Sequence, residues 1–284
     1  METPILFLIY NRPEYTKKVF EAIRRARPKK LFISADGPKM DKEGDDEMCN
    51  ETRKIVERID WPCETKTMVG NENLGCRLGV IKGPNWFFEN VEEGIILEDD
   101  CLPNESFFEY CEKLLKKFRN KNEIMMISGS NPATSITSDY DYFFSRFYHI
   151  WGWATWKRAW SKYDVNVTEW PRLKKERLLE KVFPTNIENR MFVEKMIDQV
   201  YGKVSSVWSI QWTYTCLLNN GYAVLPKYNL ISNIGLVGVH EMNEDQLFIK
   251  TKKIDFANFS HPKTIGTDQA VEDLIFKSSG LSKI

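Results

Sequence analysis

Three acidic side chains stand in a row behind a short apolar run, Gly94-Ile95-Ile96-Leu97-Glu98-Asp99-Asp100-Cys101. Adjacent carboxylates repel one another and are costly to bury without partners. Two readings follow. The acids hold a hard divalent cation through oxygen ligands at a pocket mouth, or they form a solvated acidic turn after a strand. The apolar run suits a buried parallel strand, although periodicity alone allows a buried helix. As a strand, it delivers its charge at the carboxyl end, the edge where open α/β sheets bind ligands.

Other chemistry-bearing residues lie at the ends of predicted elements. Asn11-Arg12-Pro13-Glu14 follows the apolar run Pro4 to Ile9, and Asp36-Gly37-Pro38 ends the run Lys30 to Ala35. Asn73 and Arg77 flank the start of a predicted helix. Gly152 lies between Trp151 and Trp153. A glycine lets backbone approach a sugar closely, and flanking indoles can stack on its CH face; a tightly packed turn is the other reading. Trp208-Ser209-Ile210-Gln211-Trp212 opens a predicted buried helix. Of the three histidines, His240 follows the apolar stretch Ile234 to Val239, whereas His149 and His261 have the context of structural residues. No G-x-G-x-x-G follows the first strand, and no G-x-x-x-x-G-K-[ST] occurs. A bound nucleotide would therefore have its diphosphate neutralised by metal rather than by a glycine-rich loop.

The elements that must position these residues alternate. Strands are predicted at Pro4–Ile9, Lys30–Ala35, Glu64–Val69, Ile95–Leu97 and Glu123–Ser128. Helices are predicted at Tyr15–Arg25, up to Ile59, over Cys76–Glu89 with a break or kink at Gly83-Pro84, and at Glu105–Phe118. Such βαβ spacing predicts an α/β fold with a mostly parallel central sheet and helices on both faces. Beyond Ser128 the pattern changes. A polar loop precedes a strand over Tyr142–Tyr148, the Trp-rich stretch, helices over Arg172–Val182, Asn186–Val200 and Trp208–Leu218, and a strand at Ala223–Leu225. From Glu241 on, the polar, aperiodic chain predicts extended or weakly packed segments.

The 284 residues, 42% of them hydrophobic, suffice for a large core, and no internal repeat is evident. Lys+Arg and Asp+Glu both number 40, so the zero formal charge provides no nucleic-acid footprint. No run of about 18 apolar residues predicts a membrane span. Met1-Glu2-Thr3-Pro4 lacks the basic start of a secretory signal. The six cysteines have no CxxC spacing and read as reduced thiols, so a cytoplasmic location is expected. Most of the nine tryptophans fall between Trp151 and Trp212 and mark either a carbohydrate-stacking surface or core packing.

Together, Leu8 to Glu14, Ile33 to Gly37, Asn73-Leu74-Gly75, Gly94 to Asp100, Gly152 to Trp156, Trp208 to Trp212 and Pro226 to Gly235 resemble nucleotide-diphospho-sugar transferases of the GT-A fold. In particular, they resemble bacterial relatives of N-acetylglucosaminyltransferase I. The resemblance covers about residues 4–240. It implies a nucleotide-sugar-binding half over 1–128, an acceptor- and donor-sugar half of the same domain over 129–245, and a C-terminal extension over 246–284. Glu98-Asp99-Asp100 then stands as a DXD-type motif. Asp100 is implied to bind Mn²⁺ or Mg²⁺, with Glu98 and Asp99 on the ribose, the metal's waters or the sugar hydroxyls. Asn11 and Arg12 are implied to lie at the nucleoside and phosphates, Asp36 at a uracil, Arg77 near base or phosphate, Gly152 and Trp153 at a sugar, and His240 on the metal. The implied activity is transfer of a sugar, from a UDP-sugar in the first instance, to a glycan or lipid-linked glycan hydroxyl in bacterial surface polysaccharide synthesis. Lipid-linked acceptors are compatible with peripheral membrane association, although no strongly basic amphipathic helix demands it.

The pattern departs from the family at one place. An inverting transferase needs a general base for the acceptor hydroxyl. The relatives have an Asp after the first Trp of the Trp208–Trp212 block, where this chain has Ser209. The base would come from elsewhere (Asp164, Glu169, Asp139 or Asp141), the chain would be retaining or weakly active, or Gln211 would only orient the sugar. Two other classes stay open: a nucleotide-sugar-binding module without turnover, for which Ser209 speaks, and a sugar nucleotidyltransferase, which usually carries an early basic Gly-rich loop absent here.

Overall fold

Ile5–Ile9 (β1) is buried along its whole length, and its alternate residues enter two different cores. Ile5, Phe7 and Ile9 join one core, while Leu6 and Leu8 join the other. This is the period-2 pattern of a strand covered on both faces. The computed structural model describes residues 1–133, 136, 138–204, 207–235 and 249–278. After β1 come α1 (Pro13–Ala26), β2 (Lys30–Ala35), α2 (Asp45–Val56), β3 (Glu64–Val69), α3 (Gly75–Asn90) and β4 (Glu93–Glu98). Next are β5 (Cys101–Pro103), α4 (Glu105–Phe118), β6 (Ile124–Ser128), β7 (Tyr142–Ser145), β8 (Trp153–Trp156) and α5 (Lys157–Trp160). The rest comprises α6 (Trp170–Lys175), α7 (Leu178–Val182), α8 (Ile187–Tyr201), α9 (Ser209–Leu218), β9 (Tyr222–Pro226), β10 (Ile231–Asn233) and α10 (Gln269–Ser278).

Eight strands form one sheet in the order β3-β2-β1-β4-β8-β6-β9-β7. The first four are mutually parallel, with Leu8 of β1 opposite Glu98 of β4. β8 runs antiparallel between β4 and β6, β9 is parallel to β6, and β7 closes the edge antiparallel to β9. The expected α/β class with a mostly parallel sheet and helices on both faces is therefore the observed one. β5 and β10 form a separate antiparallel pair. One core packs α1 and α4 against the sheet through Val19, Phe20, Ile23, Leu114 and Leu115. The other packs Phe87, Phe88, Trp160, Trp208 and Trp212.

Several expectations are corrected. Trp153 to Trp156 is a buried strand near the middle of the sheet, not part of a loop, because Trp153 pairs with Ile96 on one side and Ser128 on the other. The Tyr142 strand ends at Ser145, whose hydroxyl donates to the Phe147 carbonyl at 2.7 Å. α3 runs through Gly83-Pro84 in one piece; both residues are buried, and a Cβ on Gly83 would lie 2.4 Å from Leu8 Cδ2. The expected helix over Arg172–Val182 is two short helices, separated where Arg177 takes a left-handed conformation at φ 59°. α2 ends at Val56 rather than near Ile59.

The C-terminal part is also better packed than its composition suggests. On α10, Phe276 lies with its ring 5.3 Å from Phe147 and 5.5 Å from Phe192. Glu272 is 4% exposed, and its Oε1 accepts from the Arg146 backbone N–H at 2.8 Å. Burial pushes its pKa up to about 7. The folded carboxyl therefore holds its proton at pH values where the unfolded one has lost it. The contribution is most favourable below the ordinary glutamate range and is lost as pH rises through about 7. Thermal unfolding between pH 5 and pH 8 should show this decline, by up to about 3 kcal/mol, and Glu272→Gln should flatten it. An unchanged slope in the variant would place the decline elsewhere.

Candidate functional site

The carboxyl ends of β1, β2 and β4 lie side by side because these strands are parallel neighbours. After Glu98 the chain turns through Asp99-Asp100 into β5, which β10 holds by pairing Asn233 with Cys101. The Ile234 N–H donates to the Asp100 carbonyl at 2.8 Å. Gly235 packs directly on the Asp100 side chain, where a Cβ would lie 2.4 Å from Oδ2. From β1, the Tyr10 N–H donates to Asp99 Oδ2 at 3.3 Å, and Arg12 Nη1 donates to Asp100 Oδ2 at 2.9 Å. Arg12 Nη1 is also 3.6 Å from Asp99 Oδ1.

The charge balance of this turn is lopsided. Burial first, and the neighbouring carboxylates second, push Glu98 and Asp99 well above the ordinary carboxylate range, against the pull of Arg12. Burial lowers the Arg12 pKa, but Asp99 and Asp100 more than offset it, so its net shift is upward. One guanidinium thus faces three acids. Among the described residues no three His, Cys, Asp or Glu side chains converge as a ready metal cage. What the turn offers is one or two carboxylate oxygens at a ligand-binding edge. That suits a hard cation that completes its shell with phosphate oxygens and water.

Asn11 and Asp36 flank this turn. Asp36 follows β2, and its N–H donates to the Ile9 carbonyl at 3.0 Å. Its Oδ1 accepts from Gly37 N at 2.9 Å and Leu74 N at 3.2 Å, and its Oδ2 accepts from Asn73 Nδ2 at 3.0 Å. Asp36 therefore organises the loop before α3, leaving lone pairs for a further donor. Asn11 Nδ2 donates to Asp45, as does the Tyr10 hydroxyl. Asp45 was missed in the sequence, where Lys39 to Met48 reads as a polar loop. It is 1% exposed and also takes the Lys39 N–H at 2.9 Å and the Lys42 ammonium at 3.0 Å. Burial works against its ionisation, but the bonds from Tyr10, Lys39, Lys42 and Asn11 outweigh it and hold its pKa low. No local motif marks it, because Tyr10 and Asn11 reach it from a different segment than Lys39 and Lys42.

The other expected residues are distributed differently. Gly152 has φ 58° and donates no space: a Cβ would lie 2.5 Å from Ile231 Cδ1 and 3.3 Å from Leu97 Cδ2. It therefore seals the carboxyl end of β4. Trp153 is corrected as a sugar platform. It is 1% exposed, its ring 5.9 Å from Trp160 and 5.8 Å from both Trp208 and Trp212, so no face is left for a ligand. Arg77 sits within electrostatic reach of the Tyr163 hydroxyl. His240 lies outside the described residues. Gln211 is fully buried, and neither amide atom has a hydrogen-bond partner.

Ser209 lines a cavity of about 220 Å³ together with His149, Trp151, Phe192, Ile210 and Thr213. Among the described residues no carboxylate belongs to its lining. His149 stacks on Trp151 at 4.5 Å, and burial lowers its pKa to about 4, so it is a neutral, weak base. Three proposed substitute bases are engaged in local structure. Asp164 accepts from Asn166 N at 2.9 Å and Thr168 N at 2.6 Å. Asp141 accepts from Ser260 N at 2.7 Å, and Glu169 pairs with Arg172 at 2.8 Å. A larger groove of about 450 Å³, lined by Met1, Arg25 and Glu105, opens at the other end of β1, away from the acidic turn.

Replacing the buried Asp45 by Ala strands the Tyr10 hydroxyl and the Asn11 amide. We expect a loss of about 2–4 kcal/mol in denaturant unfolding, whereas Asp46→Ala, one residue on, costs less than about 0.5 kcal/mol. Equal costs for the two would refute the role given to Asp45.

No family model matches the chain, and no curated protein matches it. Among solved structures it is similar to 4-diphosphocytidyl-2C-methyl-D-erythritol synthase of Anaerococcus prevotii, with 10% identity over 56% of this chain and 74% of that one and a TM-score of 0.34. It is similar to a UTP-bound UGPase from Acinetobacter baumannii, with 8% identity over 83% and 89% and a TM-score of 0.39. An apo UDP-glucose pyrophosphorylase gives 9% identity over 83% and 94% and a TM-score of 0.40.

Proposed function

We propose that the chain is a metal-dependent glycosyltransferase that moves a sugar from a nucleoside diphosphate, a UDP-sugar in the first instance, to a glycan hydroxyl. The observation that carries this reading is the Glu98-Asp99-Asp100 turn at the carboxyl edge of parallel strands, with Arg12 2.9 Å from Asp100. Asp100, with Asp99 beside it, would hold Mn²⁺ or Mg²⁺, which supplies Lewis-acid stabilisation of a leaving diphosphate. Arg12 is positioned to take phosphate charge, since a guanidinium matches phosphate geometry with two parallel donors. Asn11 and Asp36 border the space for the nucleoside. The cavity beside Ser209, next to Trp151, takes the sugar or acceptor side.

The acceptor's proton is the weak point of this reading. Ser209 is neutral, and among the described residues the lining of its cavity holds no carboxylate. A serine needs a partner to act as base. The reading therefore predicts slow transfer by the native chain and faster transfer when a carboxylate is placed there. Nucleotidyl transfer would use the same edge and the same acids, but the turn Tyr10-Asn11-Arg12-Pro13 that leads into α1 has neither a glycine nor a basic cluster. A nucleotide-sugar-binding module would bind without turnover.

Calorimetry of UDP with and without Mn²⁺, followed by a UDP-sugar panel, separates these readings. We expect Mn²⁺-dependent UDP binding that Asp100→Ala weakens about a hundredfold, a loss of about 3 kcal/mol. Normal binding by that variant would move the metal site elsewhere. Release of UDP supports glycosyl transfer, whereas formation of UTP from UDP-sugar and pyrophosphate supports nucleotidyl transfer. Ser209→Asp should raise UDP release in the presence of acceptor glycans, about tenfold or more, as general-base catalysis does. No rise would show that this position does not take the proton.

A further inference from the structure

Both side-chain oxygens of Asp100 are already engaged. Oδ2 accepts Arg12 Nη1 at 2.9 Å and is crowded on another side by Gly235. Oδ1 lies 3.5 Å from the Cys101 thiol, a weak donor. A divalent cation at Asp100 would meet the positive guanidinium across a single carboxylate, and like charges that close repel strongly in a half-buried site. Arg12 itself is only loosely fixed. It precedes α1 as its first flanking residue, its side chain is 34% exposed, and its hydrogen bond is to Asp100. The fixed neighbours are instead Tyr10 and Asn11, anchored on Asp45.

We infer, resting on the nucleotide-sugar reading above, that Arg12 is a movable counter-ion. Before ligand arrives, it pairs with Asp100 beside Asp99 and opposes cation binding there. When a nucleoside diphosphate enters, the guanidinium transfers from carboxylate to phosphate oxygens and frees Asp100 for the cation. The exchange conserves charge pairing at each stage: the arginine leaves one anion for another, and the vacated carboxylate receives the divalent ion. Cation and nucleotide then bind cooperatively, and by reciprocity each raises the other's affinity by the same factor. The cation alone binds weakly, so the site loads with nucleotide rather than ahead of it.

Mn²⁺ titrations followed by electron paramagnetic resonance, with and without UDP, test this on the parent, Arg12→Gln and Arg12→Lys. In the parent, saturating UDP should raise Mn²⁺ affinity by about tenfold or more, within the usual range of coupling between sites. Arg12→Gln should bind Mn²⁺ alone about fivefold or more tighter than the parent, and UDP should add less than about threefold. Arg12→Lys keeps the charge without the planar fork and should fall between. If Arg12→Gln binds Mn²⁺ alone no tighter than the parent, or keeps the full UDP effect, the counter-ion role is wrong while the metal–nucleotide site stands. If the parent binds no Mn²⁺ even with UDP, the site reading fails and this inference with it. Circular dichroism of each variant confirms that the half-exposed side chain was changed without loss of fold.

Discussion

The structure depends on how three consecutive carboxylates are tolerated at the end of a buried strand. Ile95, Ile96 and Leu97 have no exposed surface, so β4 is fixed in the sheet and its end cannot slide outward. The acids must emerge where the sheet stops. There they meet one guanidinium, one backbone N–H from Tyr10 and a tight turn closed by Gly235. Burial first, and the neighbouring carboxylates second, raise the pKa values of Glu98 and Asp99 despite Arg12. Burial and mutual repulsion of these acids at one edge are what the surrounding turn is built to accommodate.

Support for this edge comes from behind it. Asp45 draws Tyr10, Asn11, Lys39 and Lys42 together, so the turn after β1 is held by the helix after β2. Asp36 does the same for the loop before α3. Both acids accept from donors that tie distant segments together, and they contrast with Asp99 and Asp100, whose cationic partner is a single half-exposed side chain. The difference separates carboxylates fixed by several donors from carboxylates held by one movable cation.

The second half of the chain holds a separate aromatic core and the cavity beside Ser209. Four of the tryptophans, Trp153, Trp160, Trp208 and Trp212, stack with one another inside the core instead of facing a sugar. Only Trp151, half-buried and stacked on His149, borders the cavity beside Ser209. α10 packs Phe276 on two residues that line that cavity, Phe147 and Phe192, so the C-terminal segment helps to shape it. No helix among the described residues is long and apolar enough to cross a membrane, and all six cysteines are unpaired.

The sequence by itself determined the alternating first half, because buried parallel strands read as short apolar runs and their helices carry one apolar face. It also determined that Glu98, Asp99 and Asp100 end a strand, and that Arg12 and Asp36 end its neighbours. Only the tertiary structure decided what those residues touch. Trp153 was read as a ligand platform because an aromatic beside glycine looks the same in a loop and in an antiparallel strand; pairing with Ile96 and Ser128 puts it inside. Asp45 gives no signal in the sequence because Tyr10 and Asn11 reach it from a distant segment, and α10 gives none because Val271, Leu274, Ile275 and Phe276 make only a short apolar face in a polar stretch. Periodicity and charge order are local and survive in one dimension. Partnerships between side chains drawn from different segments exist only once the chain has closed upon itself.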